Sequence, residues 1–189
     1  MMQVDTKDVG ALNDVEQELI WHVDENDNPI GPIDRSESRK IGARYRMVRV
    51  SVEDADGNIL LQKRLATKKS YPGCWDTSAG GNITYPETYD EAVKRELAEE
   101  IGLRDVELEE VAHFYGEIVD PAGNKMNRFT KVYRTVVDPS TKFTPQPTEV
   151  SEVKWMSRAD VVKLAEGEEI TDGLRQVIEK YYRKGEAEA

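Results

Sequence analysis

Cysteine is almost missing from this chain of 189 residues: Cys74 stands alone, so no intramolecular disulfide can form. Histidine is nearly as scarce, with two residues, and no Cys/His cluster has the spacing of a zinc site. No apolar run approaches the roughly 20 residues of a membrane span, and Met1–Gly10 lacks an apolar signal-peptide core. Basic residues are outnumbered, 26 Lys and Arg against 37 Asp and Glu, for a formal net charge of -11. That balance excludes roles that need a basic coat, on a nucleic-acid polymer or a membrane surface. These absences lead us to expect a cytoplasmic protein.

What is present suits one domain. The length is close to the roughly 150 residues of a typical domain and allows a core without disulfides or structural metal. With 38% hydrophobic and 33% charged residues, the composition is polar but not that of a disordered chain. Residues 1–16 are polar and aperiodic, so a flexible N-terminal segment is expected there. A single domain should follow over 17–184, opening with a hairpin, and 185–189 should form a tail.

Within it, Glu18–Val23 and Pro29–Ile33 read as strands around the turn Asp24–Asn28. Arg44–Glu53 alternates apolar and polar residues, and the turn signal Asp54–Asn58 leads to a strand over Ile59–Arg64. Trp75–Ile83, Val106–Val119, Arg128–Val137 and Val150–Met156 read as further strands. Glu87–Ile101 reads as a helix stopped by Gly102. Ser157 and Thr171 are placed as N-caps of two terminal helices, the second running to about Lys184. Strands interleaved with helices predict an α/β (α+β) sandwich around a mixed sheet.

The helix over 87–101 has an unusual distribution of charge. At about 100° per residue, Glu96, Glu99 and Glu100 fall within an arc of roughly 100°. Val93, Leu97 and Ile101, four apart, form an adjoining apolar stripe. Charge runs on helices are usually solvated faces, but here two features oppose that reading. Glu96 and Glu100 are a like-charge i,i+4 pair, and Glu99 and Glu100 lie in the last turn, where the macrodipole favours cations. A hard divalent cation, Mg²⁺ or Mn²⁺, would relieve both. Gly80 and Gly81 precede the helix; paired glycines allow a tight bend and leave backbone groups accessible to metal or phosphate.

The stretch resembles the signature of the Nudix hydrolase family. It runs Gly81, five residues, Glu87, seven residues, then Arg95-Glu96-Leu97-Ala98-Glu99-Glu100-Ile101-Gly102-Leu103, matching each specified position over 23 residues. The resemblance implies an α/β/α sandwich with a mixed sheet and the signature as loop, helix and loop. It implies Glu96, Glu99, Glu100 and the Gly80 carbonyl as metal ligands, with Glu87 and Arg95 bracing loop against helix. It also implies Mg²⁺- or Mn²⁺-dependent hydrolysis of a diphosphate linkage in a small, nucleotide-type molecule. Which Glu serves as base stays open, because this varies in the family.

Outside the signature, Trp75–Gly81 and the early hairpin are similar to the branch related to isopentenyl-diphosphate isomerase. The catalytic Cys and metal-binding His of that enzyme align with Gly80 and Asn82, which can replace neither. Cys74 reads as a small packing residue. His113 is expected in a structural or substrate-lining role, and His22 as an ordinary hairpin residue. Glu149 and Glu152 precede Val153-Lys154-Trp155, as in a Nudix segment that passes the active site, and one of them is a candidate for metal or water; Glu117 is another. Arg44, Arg46, Arg49, Arg64, Lys68 and Lys69, with Lys63, flank the pocket entrance in sequence. Among them Arg46 and Arg64 are candidates for substrate phosphates, the alternative being surface charge. Tyr115 is a candidate for stacking on a base, like Tyr71 and Tyr85, the alternative being packing. Loops 121–127 and 139–147 are expected to carry specificity. A homodimer through the hairpin is compatible with the sequence. A non-catalytic nucleotide- or protein-binding module is the rival class.

Overall fold

A computed structural model describes residues 18–120 and 123–183. The expected flexible segment 1–16, the tail 185–189 and part of the turn after Asp120 lie outside the described residues.

The chain folds in the order β1 (Leu19–Val23), β2 (Pro29–Asp34), α1 (Arg35–Ile41), β3 (Arg44–Glu53), β4 (Ile59–Arg64), β5 (Trp75–Asp76) and β6 (Ala79–Asn82). There follow α2 (Tyr89–Glu100), β7 (Glu109–Val119), β8 (Lys125–Val136), β9 (Val150–Met156), α3 (Arg158–Leu164) and α4 (Asp172–Lys180). The strands form one mixed sheet with β3 at its centre. One edge of β3 runs parallel to β8 in unbroken register from Arg44 opposite Asn127 to Glu53 opposite Val136. Its other edge is shared in turn by β1, β6 and β4. Where the partner changes, Ser78 stands in for the ladder: its Oγ accepts from the Val52 amide at 2.8 Å and donates to the Leu60 carbonyl at 2.5 Å. The expected continuous strand 75–83 is therefore two short ones, broken at Thr77 and Ser78.

Alternation on β3 and β4 feeds two cores. Val48, Val50, Val52 and Leu60 pack against Val93 and Leu97 of α2. Ile59 and Leu61, with Val132 of β8, pack against Val161 of α3 and Leu174, Val177 and Ile178 of α4. Each such side chain contributes about 1.5–3 kcal/mol on burial. The sheet thus lies between helices, and the expected sandwich is what forms.

Helix α2 starts two residues later than expected, at Tyr89, because Thr88 and Glu91 form a reciprocal capping box. Helix α1 was not anticipated. It has no apolar period, but Asp34 accepts from the Ser36 and Glu37 amides and Gly42 closes it in the left-handed region, φ 73°.

Candidate active site

Strand β6 supplies two residues without side chains, and the acids of α2 settle against them. A Cβ built on Gly81 would lie 2.1 Å from Oε1 of Glu96, and one on Gly80 would lie 2.6 Å from the Val48 carbonyl. Gly80 sits opposite Arg49 of β3, and its amide points away from that ladder to donate to Oε2 of Glu100 at 2.9 Å. In a strand the N–H and C=O of one residue share a side, so the Gly80 carbonyl faces the same open edge. Gln62 of β4 donates a second hydrogen bond to that Glu100 oxygen, 2.8 Å long.

Arg95 organises the rest. It holds Glu87 through two bonds, Nε to Oε1 at 2.7 Å and Nη2 to Oε2 at 2.9 Å. It also reaches Glu96 at 2.8 Å, Glu99 at 3.2 Å and the Asn82 carbonyl at 3.2 Å. Glu87 lies before the helix and accepts from the Thr84 amide, so these bonds tie the loop to α2.

Burial pushes the Glu100 carboxyl up to about 8, and the neighbouring charge of Glu96 adds to the rise against the Gly80 and Gln62 hydrogen bonds. Burial raises Glu96 as well, with Arg95 opposing it. Glu99 is the exposed member of the three, its side chain 54% accessible. The three acids share one helix face but do not converge: Arg95 stands between Glu96 and Glu99. Among the described residues, no three acidic, His or Cys side chains enclose a cation as they stand. The donors nonetheless suit a hard divalent ion, since they are all oxygens and two, buried Glu96 and half-buried Glu100, are carboxylates whose negative forms oppose each other.

From the β6 edge a cavity of about 1120 Å³ opens over β3 and β8 toward α1 and the start of α4. Glu96, Gly80, Arg64, Lys68, Lys69 and Glu149 line it. Arg64 stands 3.8 Å from Asp76, and Lys68 is paired with Glu149 at 2.5 Å. Arg49, one of the flanking cations, is buried there and bonds Asp76 at 2.7 Å.

Other candidates fall elsewhere. Arg46 alternates to the α2 face of β3, where it bonds Asp27 at 2.7 Å and lies over the rings of Trp21 and Tyr89. Tyr115 packs on Phe129 under Arg44 and donates to Glu117 at 2.8 Å, also away from the cavity lining. Glu152 is exposed on β9 opposite Lys63 and does not line the cavity. His113 meets Asp27 at 3.3 Å and packs near Tyr89 and Phe129, a structural position. Cys74 is free, and burial pushes its thiol up, away from the reactive thiolate.

Residues 43–178, most of the chain, match the NUDIX domain. The protein belongs to the Nudix family. A Nudix hydrolase of Pseudomonas aeruginosa is 35% identical over 139 residues, covering 74% of this chain and 78% of the relative. An isopentenyl-diphosphate Delta-isomerase of Photorhabdus laumondii is 32% identical over 144 residues, covering 74% and 77% respectively. A solved structure from Deinococcus radiodurans shares the fold, with a TM-score of 0.70 at 24% identity over 86% of this chain and 98% of that one. This Nudix hydrolase thus carries its signature on the loop and helix expected from the residues. Its site also recruits Gln62, at Glu100, and its cavity recruits Arg35, Arg39 and Arg128, all of which sequence reasoning missed. They come from separate elements, and only the folded sheet and its helices bring them together.

Proposed function

We infer that this Nudix hydrolase cleaves a diphosphate linkage in a small, nucleotide-type molecule with Mg²⁺ or Mn²⁺. The observation that carries this reading is a pair of carboxylates, buried Glu96 and half-buried Glu100, against the backbone of Gly80 and Gly81 beside an arginine-lined cavity. Glu96, Glu99, Glu100 and the Gly80 carbonyl would hold the ion. Bound there, it supplies charge neutralisation and a more acidic water.

The chain's own residues do the rest. Glu87 and Arg95 keep the loop and helix in register, and Gln62 with the Gly80 amide fixes Glu100. Arg64 and Lys68 face the negative oxygens of the diphosphate. A carboxylate of the helix, or Glu149 at the cavity wall, accepts a proton from the attacking water. The water oxygen bonds to phosphorus, the bridging P–O bond breaks, and the departing phosphate carries the electron pair.

The test is a panel of diphosphates with Mg²⁺, Mn²⁺ or EDTA, with product identification. Glu99→Gln and Glu100→Gln should abolish metal-dependent turnover in folded protein; full activity in both variants overturns the reading. The Photorhabdus relative's name raises a second reaction, isomerisation of a prenyl diphosphate. Gly80 and Asn82 stand where that chemistry needs a thiol and an imidazole, so incubation with isopentenyl diphosphate should leave it unisomerised.

A further inference from the structure

Seven Lys and Arg residues line the cavity against five Asp and Glu, in a protein whose net charge is -11. Most of these cations have partners. Arg35 pairs with Glu18 at 2.5 Å, Lys68 with Glu149, and Arg49 with Asp76. Arg128 does not. It projects from β8, is 5% exposed, and among the described residues has no carboxylate within ion-pair distance. Its Nε has no hydrogen-bond partner, and its remaining contacts are with neutral groups: the sulfur of Met126 at 3.8 Å from Nη1, Gln176 at a long 3.4 Å from Nη2, and the Tyr45 side chain.

Asp76, the acid whose charge acts on Arg128, is already engaged. Oδ1 of Asp76 accepts from Arg49, from the Thr77 amide at 2.8 Å and from the Thr171 hydroxyl at 2.8 Å, while Oδ2 faces Arg64. An arginine cannot escape by losing its proton, so a buried guanidinium without an anion is an unfinished interaction. Burial, with the like charge of Arg49, weakens its hold on the proton, against the opposing effects of Tyr45 and Asp76. Arg39 of α1 lines the same cavity, also has a buried Nε without a partner, and forms no ion pair among the described residues.

We propose that Arg128 is the floor of a phosphate subsite, separate from the acidic helix, that receives a second phosphoryl group of the substrate. The substrate class is then a diphosphate whose far end carries a phosphomonoester. Arg39 and Arg128, which form no ion pair among the described residues, offer two positive charges to the charge of about −1.5 to −2 that such a group carries near neutral pH. The planar guanidinium is the side chain suited to bidentate contact with its oxygens. The substrate part of this assignment rests on the diphosphate-hydrolase reading; the phosphate subsite does not.

Two experiments separate them. In EDTA, without any diphosphate, inorganic phosphate should bind the full chain, and Arg128→Met should weaken that binding by about tenfold to a hundredfold. Arg128→Lys, which keeps the charge but not the fork, should weaken it less and decides the matter if the Met variant does not fold by circular dichroism. Undiminished phosphate binding in a folded variant overturns the subsite. Next, kcat/KM is compared for paired diphosphates with and without a terminal phosphomonoester. The wild type should favour the phosphorylated member by about tenfold or more, and Arg128→Lys should lose most of that preference. Equal use of both members by the wild type overturns the substrate assignment. Hydrolysis of no diphosphate at all overturns the hydrolase reading and the assignment built on it, while the phosphate titration still judges Arg128.

Discussion

At the scale of single residues, the site depends as much on what is missing as on what is present. Gly81 has no Cβ, and Glu96 occupies that space. Gly81→Ala should force the Glu96 carboxylate aside and lower turnover by about a hundredfold, as a displacement of an ångström can, with the far-ultraviolet circular dichroism retained. Asp76 presents the opposite case, a buried acid that the cavity wall needs. Burial alone would raise its carboxyl, but Arg49 and then Arg64 hold it below the ordinary value of 3.8. A depressed folded-state value means that the contribution is present above pH 3.8 and is lost as the pH falls through the lower folded-state value. Urea midpoints of the wild type should therefore drop on acidification below about pH 4. Asp76→Asn should cost about 3–5 kcal/mol at neutral pH, because Arg49 is left buried without its counter-charge.

At the scale of elements, the hairpin β1–β2 is latched by its own tip. Asp27, at the turn, takes hydrogen bonds from Arg46 of β3 and from Tyr89 of α2, the latter at 3.0 Å. Arg46→Met should destabilise the fold by about 1.5–3 kcal/mol and speed hydrogen exchange in the hairpin amides, while leaving the KM of any diphosphate unchanged. A rise in KM without faster exchange would restore Arg46 to a substrate role. The residues explain why the sequence could suggest Arg46 where the structure lines the cavity with Arg49. Arg46 and Arg49 are three apart on one strand and so face opposite sides, but helices cover both faces of β3, and neither side is marked as outward by polarity. Spacing was legible where a single element carries the whole pattern: Glu96, Glu99 and Glu100 on α2, the paired glycines, and the bounds of β3 and β9. It was not legible for Arg128, whose neighbours Tyr45, Met126 and Gln176 come from strands and a helix far apart in sequence. Helix α1 escaped notice for a different reason. Its signals are caps, and its residues lack the apolar period by which helices are usually read.

At the scale of the whole molecule, the acidic chain presents two charge environments to a phosphorylated ligand. The helix side carries Glu96, Glu99 and Glu100, whereas the cavity side carries an excess of Lys and Arg. Saturating Mg²⁺, at about 100 times its dissociation constant, should stabilise the fold by about 2.7 kcal/mol, and Glu100→Gln should remove most of that gain. Thermal unfolding with and without EDTA measures both effects. Strand β6 also has a consequence for how the protein can change. Its share of the site is backbone, which mutation can obstruct but not rewrite, while the share contributed by β3, β8 and α1 consists of side chains that exchange one codon at a time. A library randomised at positions 80 and 81 should yield inactive clones almost throughout. One randomised at 39 and 128 should yield enzymes that keep the reaction and choose different molecules on which to perform it.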